Sequence, residues 1–370
     1  MLFVVVDHVG IVSLYHLLSQ ERIGAVSGAE LFVTLSGVVV GIVYKKRAVA
    51  QGWMAAASKL VSRALQLWMV TIAVATTTYL VAMLPGVDGR AVTTWRDGTT
   101  GRSYNLYPGI EDFLRYPVPW REVERFLLLE VGPSQFNVMG LYVALMLVSA
   151  PVLWGLMRGR TAVVLALSWL LYGVFRLSEA RLLPSQFEDP FPLLAWQLLF
   201  VHGMAVGYHR EAIGRWARGW KGEAVVTVAA LVALVCLYFT WNNPYRESGY
   251  DFRLSVIPPD LFGWAYERFF KRTPLDLGRV VNAAAVLVVG YALLSRWWRP
   301  LDWAFGWFLA PIGQASLYVF IVHVYWTAIV ASIPALTRGD VLINSLGHTV
   351  VLGVIWLMVR HRVFFRFVPR

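Results

Sequence analysis

The sequence predicts an all-α polytopic membrane protein of about ten transmembrane helices with both termini in the cytoplasm. Three observations carry that prediction. The chain is 58% hydrophobic and only 15% charged over 370 residues, which sets it apart from ordinary soluble domains. Its apolar residues fall into about ten runs, most of them near the roughly 20 residues a helix needs to cross the hydrocarbon core. Lys and Arg collect in alternate connections between those runs, as the positive-inside rule requires.

In chain order the runs cover 1–18, 28–44, 65–84, 138–157, 162–182, 193–208, 224–241, 279–294, 311–335 and 341–359. With the N-terminus inside, the inner connections hold Lys45, Lys46, Arg47, Lys59 and Arg63, then Arg158 and Arg160. Further on they hold Arg210, Arg215, Arg218, Lys221, Arg296 and Arg299, and the tail adds Arg360, Arg362, Arg366 and Arg370. The short outer connections hold only Arg22, Arg176, Arg181 and Arg338. This asymmetry sets the orientation and accounts for the +11 balance, so the charge gives no reason to expect nucleic acid as a partner.

The two long connections, 85–134 and 242–278, are then external, and 1–370 is read as a single transmembrane domain. The first span begins at Met1 with no positive flank, so it is not read as a cleavable signal peptide. At about 18 residues it is barely long enough. Either the chain starts upstream or this helix has lost its cytoplasmic end. Cys236 is the single cysteine, which excludes a disulfide framework and a cysteine-based metal site.

The first long connection carries Trp95, Tyr104, Tyr107, Tyr116 and Trp120 among Glu111, Asp112, Glu122 and Glu124. Aromatic faces beside carboxylates suit a sugar; interfacial belts and loop packing explain the same residues. Within it, 120–130 has the pattern of a short amphipathic helix.

The second span, ELFVTLSGVVVGIVY (30–44), opens on a carboxylate. A charge in hydrocarbon costs at least a few kcal/mol, so Glu30 marks a site with a partner to be found, and Asp7 and His8 are the nearest upstream candidates. Ser36, Gly37 and Gly41 make a small-residue face at the spacing that lets helix backbones approach closely.

Six segments in order then resemble the OpgC-type membrane acyltransferases, relatives of the acyltransferase-3 family. They are VVVDHVG (4–10), GAELFVTLSGVVVGIVY (28–44), SRALQLW (62–68), GPSQFNVMGLYVALMLV (132–148), PFPLLAWQLLFVHG (190–203) and PIGQASLYVFIVHVYW (311–326). The resemblance implies a multi-pass enzyme of the bacterial inner (plasma) membrane. Such an enzyme moves an acyl group from a cytoplasmic acyl-CoA to a hydroxyl of an extracytoplasmic polysaccharide or glycolipid. Succinyl-CoA is the donor favoured by the family, as co-substrate rather than bound cofactor. The family's catalytic histidine in the first span falls on His8. The Arg that the wider superfamily carries about ten residues before that histidine has no counterpart here.

The chemistry can also be argued from the residues. Acyl transfer to a hydroxyl needs a base near neutrality, and His8 can serve. The base needs an orienting acceptor on its other ring nitrogen. Neighbours in a helix diverge by about 100°, so Asp7 does not face His8 directly, and Glu30 from the next span is an equal candidate. Arg63 fits either a clamp on donor phosphate or carboxylate, or an interfacial anchor. Gln135, Asn137 and Gln197 are amides that could orient the acceptor hydroxyl or the thioester carbonyl. His323, in mid-span, is a further member of the site or a helix-to-helix bond, and His202 and His348 have less support. No HExxH or comparable ligand cluster and no Gly-rich phosphate loop is present, so no metal is expected.

Two other classes remain. A transporter or flippase for a lipid or glycan precursor would show repeated halves with broken helices; Pro311, Gly313 and Pro334 could break the ninth span, without a matching element in the first half. A lipid-linked glycosyltransferase would carry acidic residues in a large first outer loop, and here that loop is short. The bilayer is the expected surrounding, and a homo-oligomer is left open.

Overall fold

The structure is a computed structural model that describes residues 1–19, 21–96, 102–109, 119–245 and 253–366. The N-terminal half consists of α1 (Leu2–His8), α2 (Gly28–Gln51), α3 (Trp53–Ala82), α4 (Arg90–Thr93), α5 (Trp120–Leu127), α6 (Val138–Met157), α7 (Thr161–Ser178) and α8 (Leu193–Tyr208). After these come α9 (Arg210–Trp216), α10 (Trp220–Thr240), α11 (Pro259–Phe269), α12 (Leu277–Arg296), α13 (Trp298–Leu301), α14 (Trp307–Gln314), α15 (Ser316–Ala331), α16 (Pro334–Thr337) and α17 (Val341–Arg360). Among the described residues the only sheet is a hairpin of β1 (Thr94–Arg96) and β2 (Ser103–Asn105), in which Trp95 pairs with Tyr104.

Among the described residues, 7 helices are long and apolar enough to cross a membrane: α2, α3, α7, α10, α12, α17, and α6 with the turn before it. The segment ending in α14 passes the same test only together with α15, which it meets at 87°, so the two make a broken span or a re-entrant pair. That break falls at Ala315, directly after the Pro311 to Gly313 stretch. The helix α8 is apolar but has 16 residues. The run 1–18 does not form a span: α1 stops after His8, and Gly10 takes a φ of 77° that a continuing helix forbids. Beyond it, 12–15 lies along α17, where Asn344 donates to the Val12 carbonyl at 3.0 Å and the Leu14 N–H donates to Ser345 at 2.9 Å.

The basic stretch between the second and third runs is not a loop. Its Ala, Lys and Arg are good helix formers, so α2 and α3 extend towards each other and break only at Gly52, whose φ is 85°. The predicted amphipathic helix at 120–130 is present as α5.

The tightest helix contact is α2 against α8. A β-carbon added at Gly37 or Gly41 would overlap the carbonyl of Phe200 or Met204, and one added at Gly203 or Gly207 would overlap that of Thr34 or Val38. The small-residue face on α2 therefore meets a matching one on α8, and the two backbones touch. Around this seam the main apolar core joins α2, α3, α6, α8 and α15. A second apolar cluster joins α1, α15 and α17.

Candidate active site

The last residue of α1 meets the middle of α15. His8 Nδ1 lies 2.8 Å from His323 Nε2, and the two rings are stacked with centroids 5.0 Å apart. His323 is fully buried and His8 half-buried, so one ring of the pair remains reachable. Thr327, one turn beyond His323, is shared between the carbonyls of His8 and His323, at 3.2 Å from each. The His8 carbonyl is among those that a helix end leaves unpaired, so this contact fastens the end of α1 to α15.

An aromatic floor underlies the pair. Phe320 packs on His323 with centroids 5.0 Å apart and stands edge-on to His8 at 6.5 Å. Behind it lie Phe32 at 6.0 Å and Phe136 at 5.3 Å, and Tyr142 meets Phe32 edge-on at 5.3 Å. Tyr142 donates to Ser36 at 3.1 Å, so Ser36 is tied to the outer margin of this floor.

Glu30 is not the partner of His8. It is fully buried and receives Arg279 Nε at 2.6 Å, and its other oxygen accepts the Ser27 N–H at 2.9 Å. Ser27 and Glu30 form a capping box that starts α2. Arg279, also fully buried, pairs in addition with Glu21 and donates to the Phe270 carbonyl at 3.2 Å. Of the two expected orienting acceptors, Glu30 is thus spent on Arg279 and Ser27, and His8 Nδ1 meets His323 instead. Asp7 sits beside it on α1, half-buried.

The remaining candidates are spread over the fold. Gln135 donates to the Ala91 carbonyl at 2.9 Å and ties α4 to the turn before α6. Asn137 immediately precedes α6 without a side-chain capping bond and lines a narrow cleft with Thr71, Gly132, Phe136 and Gln186. Gln197 is consumed in a clasp between α7 and α8, accepting from Ser168 at 2.8 Å and donating to the Ser168 carbonyl at 2.9 Å. Arg63 donates to Gln66 at 2.6 Å on its own helix. His202 bonds the Leu198 carbonyl at 2.8 Å, and buried His348 stands edge-on to His16.

In the first long connection, Tyr107 is buried and donates to the Ala75 carbonyl at 3.0 Å, and Glu122 is buried against Arg125. These two serve loop packing. Trp95 and Tyr104 stay exposed across the hairpin with centroids 5.5 Å apart, and Trp120 is exposed at the start of α5. Glu111, Asp112 and Tyr116 lie outside the described residues.

Sequence reasoning missed Arg279, Phe320 and Thr327. The SGAE pattern at 27–30 was a legible capping signal, and a lone Arg opening an apolar run was a cation in search of an acid. Phe320 and Thr327 carried no such signal.

A family model for the OpgC protein matches residues 1–366. The chain belongs to the OpgC protein family. No curated protein and no solved structure matches it. Membership of the OpgC family, with the apolar helical bundle, makes this chain a multi-pass membrane acyltransferase.

Proposed function

We propose that this OpgC-family chain is an O-acyltransferase of the bacterial inner membrane. It moves an acyl group, succinyl in the first instance, from a cytoplasmic acyl-CoA to a hydroxyl of an extracytoplasmic polysaccharide or glycolipid. The observation that carries the reading is the contact of His8 with His323. His323 is sealed in the bundle while His8 is half-buried, so of the two rings His8 is the one a substrate can reach. In the tautomer that serves catalysis, His323 carries its proton on Nδ1 and its Nε2 is the acceptor. His8 then donates its Nδ1–H to His323 and keeps an unprotonated Nε2, the form required of a general base.

In the reaction, the acceptor hydroxyl gives its proton to His8 Nε2 while its oxygen bonds to the thioester carbonyl carbon. Collapse of the tetrahedral intermediate breaks the C–S bond, and the proton on His8 goes to the leaving thiolate. The donor enters from the cytoplasmic side and the acceptor from the opposite side. Phe32, Phe136 and Phe320 exclude water from this meeting point, which protects the thioester from hydrolysis. His323 positions the base and Ser36 braces the floor. Arg63, Gln135 and Asn137 stay candidates for binding donor or acceptor at its margins, and Gln197 supports α8.

A transporter built from repeats would show paired discontinuities, whereas among the described residues one bent pair occurs. The deciding experiment uses purified protein in lipid nanodiscs with succinyl-CoA and a neutral glucan. Free CoA thiol should appear only when glucan is present, and the glucan should gain the succinyl mass. Absence of release from any acyl-CoA, with unmodified glucan, would reject the reading.

A further inference from the structure

The segment between α11 and α12 is pinned at several points. The Phe270 carbonyl accepts from Arg279, the same guanidinium that holds Glu30. The Lys271 N–H donates to Asp276 at 2.8 Å, and the Thr273 carbonyl accepts from Trp196 at 3.2 Å. Between these anchors stands Arg272, exposed, with its guanidinium carbon 5.5 Å above the Phe191 ring centroid. Phe191 is itself braced edge-on by Trp196 at 4.8 Å. The backbone is thus fixed on both sides of Arg272, and its guanidinium rests over a braced ring.

The neighbouring acids are already neutralised. Glu21 and Glu30 share Arg279, Asp276 pairs with Arg176, Glu267 pairs with Lys271, and Asp189 pairs with Arg181. Burial, helped by Glu21, pushes the Tyr266 phenol up to about 12, so it supplies no anion. Among the described residues no carboxylate lies within ion-pair distance of Arg272. The segment that carries it is tied through Arg279 to Glu30 at the start of α2, the helix whose Phe32 lies in the aromatic floor beneath the histidine pair. A positioned, unneutralised guanidinium beside a site that binds ligands matches the planar two-oxygen geometry of a carboxylate.

We infer that Arg272, fixed between Phe270 and Thr273 over the Phe191 ring, is a specificity residue that binds a carboxylate of the substrate held at His8. This rests on the acyltransferase reading and extends it. The carboxylate belongs either to the far end of a dicarboxylic acyl group or to an acidic acceptor glycan.

The test measures binding and transfer separately, on the full chain in nanodiscs. The donors are succinyl-CoA and pentanoyl-CoA, a chain of similar length without the terminal charge; the acceptors are a neutral glucan and a uronic-acid glycan. In Arg272→Gln, kcat/KM should fall about 10- to 100-fold for the charged substrate only, and Arg272→Lys should recover part of it. A loss that follows the donor charge with neutral glucan assigns the acyl carboxylate, and calorimetry should then show weaker binding of succinyl-CoA alone. A loss that follows the acceptor charge with pentanoyl-CoA assigns the glycan. An equal loss with charged and uncharged partners, or no loss, overturns the role of Arg272 while the acyltransferase reading stands. If the wild-type chain binds no acyl-CoA and transfers nothing, both fall together.

Discussion

His8 and His323 stand 2.8 Å apart across 315 residues of chain, one at the end of a seven-residue helix and the other in mid-helix. The arrangement gives the pair unequal roles, because His323 is sealed inside the bundle and His8 is half-buried. His8→Ala should therefore abolish acyl transfer while the protein still inserts and folds. Loss of a general base typically lowers rate by about two to four orders of magnitude. CoA release at matched expression checks this, and near-normal turnover would remove His8 from the mechanism.

His323 acts through His8, and its replacements should separate accordingly. Gln at 323 can offer an amide oxygen to His8 Nδ1, whereas Leu offers none. His323→Gln should keep a substantial part of kcat, and His323→Leu should lose it, with KM for the donor little changed in both. A parallel fall in the two variants would indicate a packing role. A matching check is the pH profile, which should shift in His323→Leu because the tautomer of His8 is no longer fixed.

The helical, membrane-embedded architecture was legible because hydropathy acts over 20-residue windows and survives any tertiary detail. The limits of the helices were not. The first run looked long enough to span, yet Gly10 ends α1 at His8, and the basic stretch between α2 and α3 is helical because only Gly52 interrupts it. At the site, the importance of His8 could be read from its position and family motif, and His323 was already a candidate. Their contact could not, since nothing local encodes a bond between the first and fifteenth helices. Glu30 was recognised as a buried charge in need of a partner, but proximity in sequence pointed upstream, and the partner lies 249 residues downstream.

The seam between α2 and α8 makes a steric prediction. Gly203 and Gly207 oppose the carbonyls of Thr34 and Val38 with no room for a β-carbon. Gly203→Leu should push α8 away from α2 and lower the melting temperature of the detergent-solubilised protein. The neighbouring Val206→Leu, at a position exposed on the other face, should not. Because α2 also carries Phe32 of the aromatic floor, Gly203→Leu should reduce activity as well as stability. Equal melting temperatures for the two variants would mean that the helices do not meet at this seam.

The pair of Glu30 and Arg279 should behave as structure, in contrast to the histidines. Both side chains are fully buried, so removing one leaves the other charged in a medium that solvates it poorly. Breaking a buried ion pair in this way costs about 3–5 kcal/mol, and Arg279→Met strands both Glu30 and Glu21. Arg279→Met alone should therefore be the most destabilised variant, seen as low yield and a large drop in melting temperature. Adding Glu30→Gln should recover part of the loss, since the amide can still accept from the Ser27 N–H. Glu30→Gln alone should destabilise while leaving the pH dependence of the remaining activity unchanged, because Glu30 is spent on Arg279 and does not orient His8. A shift in that pH profile without loss of stability would return Glu30 to the catalytic role that its place in the sequence first suggested.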